Sequence, residues 1–169
     1  MQKVVATVAR LLESSVTLCV AILVLDVLWG VISRFVLAEP SRWTEELAQY
    51  LLMWVALLGA AVGFQRGQHL GLDYFVQKMP VEVRSLVGVF GQICIIAFAS
   101  LAMIWGGYVL VSETLKSGQV TPALEIHMGW VYLAVPISGV AIAFFSFARA
   151  LELIGIAQPK IAETNELEG

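Results

Sequence analysis

A chain of 169 residues that is 59% hydrophobic and 14% charged, with a mean hydropathy of +0.85, is too apolar for a soluble domain of that size. Its net charge of −3 comes partly from Glu163, Glu166 and Glu168 near the end, so it marks no acidic binding surface and points to no nucleic-acid partner. The composition predicts an all-α integral membrane protein with the lipid bilayer as its solvent.

The first apolar run, Ser14 to Ser33, holds one charge, Asp26. Lys3 and Arg10 before it resemble the start of a signal peptide. The run is too long for one, contains an acid and lacks a small-x-small cleavage site, so it is expected to stay as a first span, about 14–36. On a helix, Ser15, Cys19, Asp26, Gly30 and Ser33 share a face, which turns Asp26 toward protein and away from lipid. An acid at that depth is either a functional group, such as an ion ligand or proton carrier, or a packing residue hydrogen-bonded to a neighbouring helix.

Pro40 and Ser41 stop that helix and offer an N-cap to the next, whose first turn carries Glu45 and Glu46 at the positive end of the helix dipole. Residues 47–64 then carry no charge over roughly 27 Å, enough for one crossing. Arg34, Glu39, Arg42, Glu45 and Glu46 form a charged collar, with Trp43 suited to the membrane interface. Such a collar is a solvated ring of weak ion pairs or a docking ridge, and the residues alone favour neither. Gly59 and Gly63 in G-A-A-V-G give the second helix a small-residue stripe where another helix packs, in this chain by slight preference.

A polar connection holding Arg66, His69, Asp73, Lys78, Glu82 and Arg84 leads to the uncharged stretch that gives the third span, about 86–111. Thr121-Pro122 has the form of an N-cap and first helical position, from which a short helix can start. The fourth span, about 129–148, contains Pro136, expected to loosen or kink it near mid-depth. Residues 1–155 then make one transmembrane domain, and 156–169 an acidic cytoplasmic tail expected to be disordered. Lys3, Arg10, Arg66, Lys78, Arg84, Arg149 and Lys160 lie on one side of the spans, and only Arg34, Arg42 and Lys116 on the other. Basic loops stay in the cytoplasm, so both termini are expected inside.

Chemistry is sparse. Cys19 and Cys94 lie inside apolar runs, where a thiol is a small hydrophobe, and His69 and His127 fall at opposite ends of their helices, roughly 30 Å apart, too far for a shared haem. No P-loop, nucleophile elbow or CxxC site occurs, so neither an enzyme nor a cofactor is expected. Without inverted repeats or broken helices the chain makes a poor stand-alone transporter and reads as a subunit. A membrane anchor of a redox complex is the alternative, and a self-contained small channel with Asp26 as its filter a third reading.

Arg34-Phe35, Trp43-Thr44-Glu45-Glu46-Leu47-Ala48, Trp54 with Leu58-Gly59-Ala60-Ala61, Arg66-Gly67-x-His69-Leu70-x-Leu72-Asp73, Thr121-Pro122-Ala123-Leu124 and Trp130-Val131-Tyr132-Leu133-Ala134-Val135-Pro136 together resemble the small, DctQ-like membrane subunit of tripartite ATP-independent periplasmic (TRAP) transporters. The resemblance covers nearly all of 10–153 and departs in one place, where Ser138 precedes Gly139. It implies a subunit of the bacterial inner membrane that scaffolds a large membrane subunit. A periplasmic binding protein would deliver an organic acid, commonly with a Na+ gradient as the driving force. By the same resemblance Arg42, Trp43, Glu45 and Glu46 lie where the binding protein docks, and the Gly59–Gly63 face or its neighbours meet the large subunit. The family's substrate and ion sites belong to the large subunit, so none is carried onto this chain.

Overall fold

The computed structural model describes residues 2–39, 41–66 and 81–166, with side chains described over 3–39, 41–66 and 87–151. Helix α1 (Gln2–Phe35) is followed by α2 (Arg42–Gln65). α3 (Val81–Phe98) passes through a π-helical segment (Ala99–Trp105) into α4 (Gly106–Lys116). A loop then leads to α5 (Met128–Tyr132) and α6 (Ala134–Glu166). Four stretches are long and apolar enough to cross a membrane: Lys3–Phe35, Arg42–Gln65, Val87–Lys116 and Met128–Leu151. Among the described residues the one extended pairing is an isolated antiparallel bridge between Val120 and His127.

α1 begins well before Ser14 because its early turns have something to pack on. Val5, Val8, Ala9 and Leu12 join Ala61 and Phe64 of α2 and Ala141 and Phe145 of α6 in the core cluster. Glu13 ties the same end together by accepting from Arg66 Nη2 at 2.7 Å and from Nε at 3.1 Å. α2 packs against α1 and α6, while α6 also packs against α3 and the π-helical segment. The fourth span is the most enclosed of the four and the first the least. Most large apolar side chains on the helix surfaces are exposed, as expected where lipid replaces water.

Close backbone approach falls at glycines other than those the stripe suggested. A Cβ on Gly139 would stand 2.6 Å from Met103 Cβ, and one on Gly107 would stand 2.9 Å from Pro136 Cδ. Among the described residues no atom lies within 4 Å of a Cβ built on Gly59 or Gly63. The expected contact with another helix of this chain is therefore not made at those two positions. α2 instead buries Leu58, Ala61 and Phe64, the neighbouring strip of the same helix.

Two local expectations are corrected. Pro136 does interrupt the fourth span, but the break lies at Leu133, roughly 7 Å inside the span rather than at mid-depth. The proline has no N–H for the Tyr132 carbonyl and its ring crowds that carbonyl, so the ladder resumes one residue on, Ile137 N–H donating to Leu133 O at 3.2 Å. No helix grows from Thr121-Pro122 either. A single turn closes, Glu125 N–H donating to Thr121 O at 3.1 Å, and Glu125 then turns left-handed at φ 53°. The acidic stretch 156–169 has described backbone only to Glu166, and the connection 67–80 with His69, Asp73 and Lys78 lies outside the described residues.

Candidate functional site

The polar side chains of interest gather at the end of the bundle that carries the 36–41 connection and the 117–127 loop. Glu46, in the second turn of α2, sets their arrangement. Its Oε1 accepts from Ala123 N–H at 3.0 Å, and its Oε2 accepts from Ala123 and Leu124 N–H at 3.1 Å. These amides open the Pro122–Leu124 turn, where successive N–H groups point the same way and favour an anion. Thr121, fully buried, completes the loop: its N–H donates to Ile126 O at 2.9 Å and its Oγ1 accepts from Ile126 N–H at 3.1 Å. Met128 N–H donates to Gln119 O at 3.0 Å and closes the base. The expected N-cap threonine thus exists, but a carboxylate from another helix caps the turn.

The remaining collar residues differ from Glu46. Arg42, Trp43 and Glu45 are exposed, as are Arg34 and Glu39. The four residues named as a docking ridge therefore divide: Arg42, Trp43 and Glu45 stay at the surface, and Glu46 is spent on the loop. Pro40 lies outside the described residues, and Ser41 caps α2 by position only. Its hydroxyl sits 2.9 Å from Thr44 Oγ1 and 3.2 Å from Ser33 Oγ. Thr44 Oγ1 donates to Ser41 O at 2.8 Å, and Ser33 Oγ donates to Gly30 O at 2.9 Å. This hydroxyl cluster went unseen in the sequence, although Ser33, Ser41 and Thr44 flank a helix-to-helix turn where such groups commonly bond.

Below the cluster lies Asp26, 5% exposed, with neither carboxylate oxygen hydrogen-bonded. It lines a cleft of about 210 Å³ between α1 and α2, whose mouth is formed by Arg34 and Glu45. Asp26 does face protein, as its helical face predicts, yet the hydrogen bond to a neighbouring helix is not made among the described residues. Two other buried polar atoms lack a partner, Gln92 Oε1 and Ser146 Oγ, and neither is ionisable. Among the described residues no three His, Cys, Asp or Glu side chains are grouped to hold a metal ion. His127 is exposed beside Val120, and His69 is not described. Cys19 is half-buried and Cys94 exposed, both as free thiols.

Four apolar spans, with a loop locked to a membrane helix by a carboxylate and a polar cleft at the same end, define a multi-pass membrane protein. Over residues 5–155 the chain matches the family model described as "Tripartite ATP-independent periplasmic transporters, DctQ component", and it belongs to that family. It is similar to the sialic acid TRAP transporter small permease protein SiaQ of Vibrio cholerae, 27% identical over 90% of this chain and 87% of that one. The C4-dicarboxylate TRAP transporter small permease protein DctQ of Rhodobacter capsulatus is 30% identical over 66% of this chain and 51% of its own length. The isethionate TRAP transporter permease protein DctMQ of Oleidesulfovibrio alaskensis is 25% identical over 60% of this chain, which matches 16% of that much longer protein. None of these three is named as an anchor of a redox complex.

Proposed function

We propose that this chain is the small permease subunit of a TRAP-type secondary transporter in a bacterial inner membrane. It scaffolds a large membrane subunit, and a cation gradient drives uptake of an organic acid handed over by a periplasmic binding protein. The family match over 5–155 carries this reading. Relatives named for sialic acid, C4-dicarboxylates and isethionate support an organic acid as substrate, and a single DctMQ chain of which this sequence matches 16% supports a larger membrane partner. On this reading the chain catalyses no reaction. Seven basic residues on one side of the spans, Lys3, Arg10, Arg66, Lys78, Arg84, Arg149 and Lys160, against Arg34, Arg42 and Lys116 on the other support cytoplasmic termini. The reading is tested by purifying the tagged chain in mild detergent from cells carrying its neighbouring genes. A large polytopic partner is expected, with uptake lost on deletion; a chain that runs alone, and whose deletion leaves uptake intact, refutes it.

Two further outcomes follow. Arg42, Trp43 and Glu45 present the docking surface for the binding protein, so Glu45→Arg slows uptake while the subunit remains inserted and stable, because an exposed charge orients a partner more than it supports a fold. Unchanged uptake leaves only a solvated collar. Gly59→Leu lowers the yield of the assembled complex if the Gly59–Gly63 face meets the large subunit. Since no described residue lies within 4 Å of a Cβ at Gly59, the isolated subunit keeps its stability and the loss reads the interface alone. An unchanged yield gives that face to lipid.

A further inference from the structure

Asp26 is a buried carboxylate whose donor is missing from the described chain. The nearby hydroxyl hydrogens are already spent: Thr44 donates to Ser41 O, Ser33 donates to Gly30 O, and Ser41 has both of those hydroxyl oxygens within 3.2 Å. Arg34 lies eight residues further along the same helix, roughly 12 Å up the axis, with its side chain exposed at the cleft mouth. A carboxylate held at this depth without a donor is costly, and in membrane proteins such a group faces protein or a polar cavity and pairs there. Beside the cleft α1 and α2 approach closely at Gly30, where a Cβ would stand 3.3 Å from Thr44 Oγ1.

Beside Asp26 the same helix lends the cleft an apolar strip. Val27, Val31 and Phe35 recur every four residues on α1, and Val31 is 50% and Phe35 79% exposed. This outer half of α1 lies beyond the core cluster, which α1 joins at Val5 to Leu12. A hydrated ion gains nothing from such a wall, whereas a helix does, and a single polar side chain on that helix would answer the acid.

We propose that this cleft seats a membrane helix of the large permease subunit, which packs on Val27, Val31 and Phe35 and gives Asp26 a hydrogen-bond donor or a positive charge. The proposal rests on the reading of the chain as a small permease subunit.

The test uses the complex assembled in membranes. Asp26→Ala lowers the large subunit recovered with the tagged chain by at least about tenfold, since one partner of a buried pair is left alone. The isolated small subunit keeps or gains melting temperature, because among the described residues Asp26 accepts no hydrogen bond and its burial without a donor is itself a cost. Independently, Val31→Cys, in a background with Cys19→Ser and Cys94→Ser, gives a short-span bismaleimide adduct with the large subunit, and this holds even if Asp26→Ala fails to fold. Full recovery with Asp26→Ala and no adduct overturns the proposal. Full recovery with lost uptake also overturns it and makes Asp26 an ion or proton carrier, while an adduct joining two copies of this chain assigns the cleft to self-association instead. A wild-type chain that recovers no large subunit refutes the transporter reading itself, and the proposal with it.

Discussion

Glu46→Ala is expected to lower the melting temperature of the detergent-solubilised chain by roughly 4–8 °C, while Glu45→Ala, one residue earlier, leaves it within about 1 °C. The carboxylate of Glu46 accepts from two backbone amides of the 122–124 turn. Charge-assisted bonds of this kind contribute about 1.5–3 kcal/mol, and removing the acceptor strands both N–H groups in partly buried surroundings. Taking about 2 kcal/mol, a chain of this size shifts by roughly 2–4 °C per kcal/mol. Glu45 is exposed and makes no hydrogen bond among the described residues, so its loss touches only the surface. The five tryptophans give an intrinsic fluorescence signal for the melt, and amide hydrogen exchange at Ala123 and Leu124 should quicken first. Glu46→Gln keeps one acceptor oxygen and falls between. A Glu46→Ala chain with unchanged melting and protected amides would mean that the loop holds its shape through Thr121 alone. The same contrast separates fold from docking: uptake lost with Glu46→Arg is ambiguous, whereas uptake lost with Glu45→Arg is not.

The spans were legible because a bilayer imposes one simple demand, an uncharged helix of sufficient length with charges at its rims. Leu47 to Phe64 meets it without any knowledge of the partner helices. The inward face of Asp26 followed from helical periodicity. What covers a face did not follow, because helical spacing is a property of one segment and a contact is a property of two. Gly59 and Gly63 have the same step as Gly139 and Ala143, yet of the three glycines Gly139 alone lies close against a neighbouring helix among the described residues. The Glu46 clamp joins residues 77 and 78 positions apart, and a first-turn glutamate is already explained by the helix dipole, so nothing in its surroundings marked a distant partner. The π-helical segment likewise has no local signature: Ala99–Trp105 is an ordinary apolar stretch, and its i→i+5 bonding shows only where Gly106 N–H donates to Leu101 O. Glu125 and Ala38 take positive φ without being glycine, so no turn residue announced them.

Those two glycine steps also make the sharpest test of the packing. Gly139→Ala should destabilise the chain by about 1–3 kcal/mol, and Gly139→Val should leave little monodisperse protein, since the added carbon lands on Met103 Cβ and beside the Ile104 side chain and backbone nitrogen. Backbone cannot rotate away as a lysine tip can, so α6 would have to lift off the π-helical segment and reopen the most enclosed span of the fold. Gly59→Ala should do the reverse. With open space around it, alanine removes the conformational cost of a helical glycine, a gain of about 1 kcal/mol in a helix interior. Melting temperatures of the two alanine variants, measured in one detergent, therefore move in opposite directions. Intrinsic propensity favours alanine equally at both sites, so the difference between them isolates the neighbour. If both variants gained stability, α6 would not lie against the π-helical segment at Gly139, and the third and fourth spans would have to pack through another face.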